Sequence, residues 1–153
     1  MIEMTLDSLR VATKNPKSTD HGTPYVALLK EKTTERYLPM FIGPVEANAI
    51  AIKLRGEPVP RPLTHDLMCS VIESFGGSID SVVVSELKND TFYAKLVLDI
   101  NGRQTEIDCR PSDAFALALA GAKRVPIYAA ESVMEKAGIT NLPNERGMLK
   151  ENQ

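Results

Sequence analysis

Apolar and polar residues alternate along much of this chain, and the alternation changes to a helical spacing in a few segments. Alternation is typical of half-buried β-strands, whereas apolar residues three and four positions apart are typical of an amphipathic helix. Residues 14–23 are turn formers throughout, which indicates a mobile loop. The first third of the chain is predicted to form strands at about 2–13, 24–31 and 35–42, with Met4, Leu6, Leu9 and Val11 on the inward side of the first.

Two helices are predicted to begin at a proline that closely follows a strand. Pro44 and Pro111 suit the first helical position because proline has a fixed φ and no N–H to leave unpaired. Each proline is followed by a carboxylate in the first turn, Glu46 or Asp113, which complements the positive end of the helix dipole. A glycine follows the predicted end of each helix. The predicted spans are about 44–54 and 111–120.

Between these two helices the pattern predicts another helix and then three strands. Leu67, Val71 and Phe75 lie at helical spacing, Thr64 suits the N-cap, and a pair of glycines follows. The dipeptide at 101–102 is Asn-Gly between apolar runs, which is a strong hairpin signal. The elements predicted in this half are a helix at about 63–75, strands at about 79–88, 91–100 and 103–109, and, after the second proline-started helix, a strand at about 125–129 and a short helix at about 131–137.

One stretch of the sequence occurs twice. Residues 44–52 return in similar form as 111–119, a displacement of 67 positions (111 − 44), and parts of the preceding strands fit the same displacement. We interpret this as an internal duplication of a unit of three strands and one helix, with the helix at 63–75 inserted between the copies. Any functional site is then expected where the two copies of the acidic helix start come together. The order of elements predicts an α+β fold rather than an alternating βαβ fold. One domain is expected over residues 1–138, followed by a flexible C-terminal tail at 139–153.

Composition narrows the class of protein. At 153 residues, with 43% hydrophobic and 25% charged residues, the chain fits one globular domain. No apolar run approaches the roughly 20 residues of a membrane span, and the acidic amino terminus does not resemble a secretion signal, so a cytoplasmic location without membrane attachment is expected. Cys69 and Cys109 have no close-spaced partner and are expected to be small buried residues. The net charge of −2 disfavours broad electrostatic binding of nucleic acid.

A cluster of polar residues at one strand-to-helix junction is the first candidate site. Asp108, Arg110, Ser112 and Asp113 lie within six residues of sequence. Carboxylates can hold a divalent cation, and arginine can bind a phosphate through parallel hydrogen bonds. The equivalent helix start of the first copy adds Glu46. The alternative is that these carboxylates only cap their helices.

The second candidate is His65 with its neighbour Asp66. Histidine suits general acid–base chemistry near neutral pH, and the other histidine of the sequence, His21, lies in the predicted loop. The alternative is a helix cap or an ordinary surface residue. The sequence has no glycine-rich phosphate loop, nucleophile elbow or His-Glu-x-x-His motif, so no organic cofactor is expected.

Three ordered segments, 36–47, 61–67 and 108–114, resemble the bifunctional nuclease domain family, long known as a bacterial domain of unknown function. The resemblance covers about residues 1–138. It implies an α+β fold with duplicated halves, assembly as a homo-oligomer, most simply a dimer, and hydrolysis of both DNA and RNA.

The residues and the resemblance together give a first hypothesis for the chemistry. Glu46, Asp108 and Asp113 would hold Mg²⁺ or Mn²⁺, Arg110 would bind the phosphate, and His65 with Asp66 would move protons. The alternative is a non-enzymatic oligomeric module for protein interaction or regulation, or a protein that binds a small anion. An acidic pI and 5% aromatic residues favour that alternative.

Overall fold

The computed structural model describes residues 1–12, 25–142 and 148–150. Strands and helices form a mixed α+β domain, as the order of elements predicted. The loop predicted at 14–23 lies outside the described residues. The strands are β1 (Ile2–Ala12), β2 (Tyr25–Glu31), β3 (Tyr37–Ile42), β4 (Gly77–Lys88), β5 (Thr91–Ile100), β6 (Arg103–Cys109), β7 (Ile127–Ala129) and β8 (Met148–Lys150), and the helices are α1 (Pro44–Arg55), α2 (Thr64–Ser74), α3 (Pro111–Ala120) and α4 (Glu131–Ala137).

Two antiparallel meanders make up most of the sheet. The strand order is β3-β2-β1-β7-β4-β5-β6, and β8 pairs with β1 outside this path. The short strand β7 joins the meanders, since it runs antiparallel to β1 and parallel to β4. Each meander is followed by a proline-started helix, α1 or α3. An internal duplication would produce this order, but the duplication itself stays a prediction.

A β-bulge in β1 explains why its apolar positions change from even to odd numbers. The pairing of β1 with β2 shifts register between Leu6 and Ser8. An extra residue in one strand moves the following side chains to the opposite face. Met4 and Leu9 are therefore both buried in the core, at 2% and 3% exposure, although they differ in parity. Leu6 packs against this core.

The tight turn between β5 and β6 was predicted correctly, whereas the N-cap of α2 was not. Asn101 and Gly102 both have positive φ, 54° and 82°, as a tight type I′ hairpin turn requires. Thr64 was predicted as the N-cap of α2, but the N-cap is Leu63, which makes no side-chain cap. Its backbone N–H instead donates to Asp66 Oδ2 at 2.8 Å. Asp66 in the first turn thus accepts the N–H of the N-cap residue, which is a different hydrogen bond from the one expected of the threonine.

Helix α3 forms the centre of the core. It packs against α1, α2, β4 and β5. Its middle residues are at most 1% exposed, and Phe115 is the largest of the fully buried side chains. Because the body of α3 is fixed on several sides, the residues at its start are held in place as well.

The two cysteines are partly buried rather than fully buried, and both pack against the core. Burial raises the pKa of both thiols, that of Cys109 to about 11. Such thiols are mostly protonated near neutral pH, so neither cysteine is a reactive thiolate.

Part of the predicted C-terminal tail lies on the domain. Ile139 forms an antiparallel bridge with Tyr37, and Met148–Lys150 lies beside the last residues of β1. The domain boundary at residue 138 stays a prediction. None of the helices in the described ranges is both long enough and apolar enough to cross a membrane.

Candidate active site where two helix starts meet

The three N-termini of α1, α2 and α3 open into one cleft. Its volume is about 1000 Å³, and residues of β5 and β6 complete its lining. Apolar side chains make up much of the wall, and several of them are well exposed, including Val45, Met68 and Ile107. Five predicted site residues line the cleft: Glu46, His65, Asp108, Arg110 and Asp113.

Arg110 joins the starts of the two proline-started helices. Its Nε donates to Asp113 Oδ2 at 2.9 Å, and its Nη1 donates to Glu46 Oε1 at 3.1 Å. Asp113 is in the first turn of α3 and Glu46 is in the first turn of α1. The displacement of 67 positions relates these two carboxylates (46 + 67 = 113). The structure therefore brings the two similar helix starts together at one guanidinium group.

His65 contacts the other oxygen of the Asp113 carboxylate, with Nε2 3.1 Å from Oδ1. Burial raises the pKa of Asp113, but hydrogen bonds from Arg110 and His65 outweigh this effect and the pKa lies below its ordinary value. An ionised carboxylate only accepts hydrogen bonds, so Nε2 must carry the proton in this contact. The Nδ1 atom of a neutral His65 then has a free lone pair, and no group in the described part of the chain hydrogen-bonds to it.

Asp66 makes other contacts than those expected from its place beside His65. Its Oδ1 lies 2.6 Å from Lys53 Nζ, and its Oδ2 accepts the hydrogen bond from the N–H of Leu63. Burial raises the pKa of Asp66, and the contacts with Lys53 and Leu63 lower it further than burial raises it. Lys53 is in the last turn of α1. Asp66 therefore anchors the start of α2 to α1, while Asp113 is the carboxylate that orients His65.

The predicted metal ligands do not converge on one point. Glu46 and Asp113 both hold Arg110, while Asp108 is exposed near the end of β6. Across the described ranges, no group of three or more His, Cys, Asp or Glu side chains is arranged to hold a metal ion. As placed, Glu46, Asp108 and Asp113 do not form a binding site for Mg²⁺ or Mn²⁺. A divalent cation at Glu46, Asp108 and Asp113 stays a prediction.

The sequence model of the bifunctional nuclease domain family matches residues 27–141 of this chain. This match includes α1, α2, α3 and every residue of the candidate site. The chain belongs to the bifunctional nuclease domain family.

Relatives of this bifunctional nuclease domain occur in bacteria and plants. An uncharacterized protein found in two strains of Mycobacterium tuberculosis is 44% identical over 120 residues, which cover 78% of this chain and 70% of the relative. Bifunctional nuclease 1 of rice, Oryza sativa subsp. japonica, is 26% identical over 118 residues, which cover 72% of this chain and 36% of the rice protein. The plant similarity is thus distant and concerns about a third of the plant protein.

The repeat predicts a site where the two acidic helix starts come together, and the contact of Glu46 with Arg110, 64 positions away, lies there. Two other contacts of this bifunctional nuclease domain were missed by reasoning from the sequence. One joins His65 to Asp113, which are 48 positions apart. The anchoring contact between Lys53 and Asp66 had no signal in the local pattern.

Proposed function

We propose that this domain is a nuclease that hydrolyses phosphodiester bonds in DNA or RNA, and that its catalytic residues are His65, Asp113 and Arg110. The observation that carries the proposal is the chain of contacts from His65 through the Asp113 carboxylate to Arg110, located in a cleft. It combines a group that can move a proton with a group that can bind a phosphate. Membership of the family supports the choice of a nuclease over other phosphate chemistry. A cytoplasmic location stays a prediction.

The proposed reaction uses each of the three residues once. His65 Nδ1 takes a proton from a water molecule as the water oxygen bonds to phosphorus. Arg110 stabilises the negative charge that increases on the phosphate oxygens. Asp113 stabilises the resulting imidazolium and keeps Arg110 oriented. The bond from phosphorus to the leaving oxygen breaks, and that oxygen takes a proton from solvent.

The apolar wall of the cleft favours nucleic acid over a free phosphate as the ligand. Ile107 and Met68 line the cleft and are 45% and 40% exposed. A sugar or a base attached to the phosphate would cover these side chains, whereas a free phosphate would leave them in water. Contact with this wall would add to the binding of nucleic acid, which the net charge of −2 does not attract electrostatically.

Cleavage of labelled DNA and RNA oligonucleotides tests the proposal. We expect the wild-type protein to cleave them, and we expect Asp113→Asn to reduce the rate by roughly 100-fold or more because it weakens the placement of both His65 and Arg110. Asp80 is an exposed aspartate on β4, away from the cleft. Asp80→Asn makes the same chemical change there, and this variant should retain the activity. Parallel reactions with EDTA, Mg²⁺ and Mn²⁺ test the separate metal prediction. Equal cleavage by wild type and Asp113→Asn would argue against this site.

A second candidate function is a non-enzymatic oligomeric interaction module. Arg110 is already paired with two carboxylates, which favours a structural role for this residue. In addition, α2 has no buried residue, and Leu67, Val71 and Phe75 form an uncharged stripe with exposures of 57%, 47% and 78%. Exposed apolar stripes of this kind often pack against another protein. We propose a second copy of this chain as the partner, which agrees with the homo-oligomer implied by the family resemblance.

The mass of the protein in solution tests the oligomer. Val71→Lys places a charge in the middle of the stripe and should reduce the mass measured by light scattering at micromolar concentration, since burying an unpaired charge is unfavourable. Val45→Lys is a matched control, because Val45 is an exposed valine on α1 outside the stripe. A wild-type protein that is monomeric in this measurement would rule out the proposed assembly.

A further inference from the structure

Glu46 and a substrate phosphate would compete for the same cation. Arg110 Nη1 donates to Glu46 Oε1 at 3.1 Å, and the Arg110 side chain is 65% exposed while that of Glu46 is 19% exposed. The guanidinium is thus accessible from the cleft, yet its charge is already balanced. We propose that Glu46 competes with the substrate for Arg110 and keeps this cation engaged until a phosphate of the substrate displaces it. This inference rests on the proposed function, because it takes Arg110 as the phosphate-binding group.

The charges around the cleft favour a phosphate that replaces a carboxylate at Arg110 over one that binds beside both carboxylates. The described residues that line it include three carboxylates, Glu46, Asp108 and Asp113, and one guanidinium, Arg110. With His65 neutral, their formal sum is −2 (1 − 3). A phosphodiester that simply entered would meet a negative surface and be repelled. A phosphate that takes the place of one carboxylate at Arg110 moves that carboxylate away and so meets less repulsion than one that binds beside both.

Of the two carboxylates that contact Arg110, that of Glu46 is the one that a phosphate can displace. Asp113 is held from both sides, by Arg110 at 2.9 Å and by His65 at 3.1 Å. The hydrogen bond to Asp113 is also the largest cause of the raised pKa of Arg110, and the contact with Glu46 contributes less. No hydrogen bond joins the Glu46 carboxylate to any other described side chain than Arg110. Loss of the Glu46 contact therefore leaves the His65 and Asp113 pair intact.

Gly43 provides a second, independent indication that the position of Glu46 is specific. Gly43 is the N-cap of α1, and the Glu46 side chain folds back over it. A β-carbon at position 43 would collide with Glu46 Oε2. The backbone of Gly43, with φ −72° and ψ 159°, is one that any residue adopts. The absence of a side chain at position 43 therefore makes room for Glu46 rather than permitting an unusual backbone.

This geometry gives two ways to release Arg110. Glu46→Gln removes the negative charge, whereas Gly43→Ala keeps the charge and displaces the carboxylate. Both variants should bind a fluorescein-labelled DNA hexamer more tightly than wild type by roughly 3- to 10-fold, as expected for one partly exposed ion pair, when anisotropy is measured in EDTA at low salt. Glu106→Gln changes the net charge equally at a pair with Lys95 outside the cleft, and it should alter the affinity less than about twofold. Melting temperatures of all variants establish that they are folded.

Arg110→Ala completes the test. Combined with Glu46→Gln, it should abolish the gain in affinity, because the released group is then missing. Weaker binding by Glu46→Gln would overturn the proposal and indicate that Glu46 helps to hold the ligand. An equal gain in Glu106→Gln would also overturn it, since net charge alone would explain the effect, and so would a hexamer that binds to none of the proteins. Tight binding without cleavage would leave the competition at Arg110 standing while the proposed nuclease function fails.

Discussion

Replacing His65 with alanine is expected to lower the rate of DNA or RNA cleavage by roughly 10²- to 10⁴-fold, the usual contribution of a general base. The reason is geometric. Asp113 fixes His65 through Nε2 at 3.1 Å, which leaves Nδ1 as the ring nitrogen that could accept a proton. Because Arg110 keeps its own contacts with Asp113 and Glu46, substrate binding should change much less than the rate. The loss should therefore appear in kcat and only weakly in KM.

His21→Ala is the matched control for this experiment, since it removes the other histidine of the sequence. It should retain the wild-type rate. Melting curves of His65→Ala should stay close to those of the wild type, because the start of α2 is anchored through Asp66 and Lys53 rather than through His65. A folded His65→Ala protein that keeps more than about a tenth of the wild-type kcat would exclude His65 as the general base.

Phe115→Ala is expected to have the largest effect on stability. Phe115 is 0% exposed at the middle of α3. Truncation of a buried phenylalanine costs roughly 3–5 kcal/mol, through lost burial and the cavity that remains. Whole domains are stable by only about 5–15 kcal/mol, so this single change should remove a large part of the free energy of unfolding. Urea titration followed by circular dichroism measures it.

Phe115→Leu provides the graded comparison, since it retains more of the buried volume and should be less destabilised than Phe115→Ala. The alanine variant should also lose the fixed start of α3, and with it the positions of Asp113 and Arg110. A free energy of unfolding within about 1 kcal/mol of wild type for Phe115→Ala would mean that α3 is not the centre of the core.

Local features of this domain were predictable because their causes lie within a few residues. The turn at Asn101 and Gly102 requires positive φ, and the starts of α1 and α3 follow from proline at the first helical position. By contrast, the parallel pairing of β7 with β4 joins segments far apart in sequence. No local pattern specifies such a partner, because strand pairing depends on which surfaces remain to be covered.

The candidate site shows the same division. Its residues were predictable as types, and most of them do line one cleft. The partner of His65 was not predictable by adjacency, since successive residues of a helix point about 100° apart and Asp66 is directed to Lys53 instead. Asp113 reaches His65 only because α2 and α3 pack together. The tertiary contact between two helices, rather than a sequence motif, selects the acid that orients the histidine.

The displacement of 67 positions that relates Glu46 to Asp113 also relates Gly43 to Arg110 (43 + 67 = 110). At this pair of positions the two helix starts differ most, since one has no side chain and the other has the longest cationic one. The start of α3 supplies the cation, and the start of α1 leaves the space into which Glu46 folds back over Gly43. If Arg110 binds phosphate as proposed, only one of the two similar helix starts carries the binding group, and the expected stoichiometry is one phosphate at this cleft per chain.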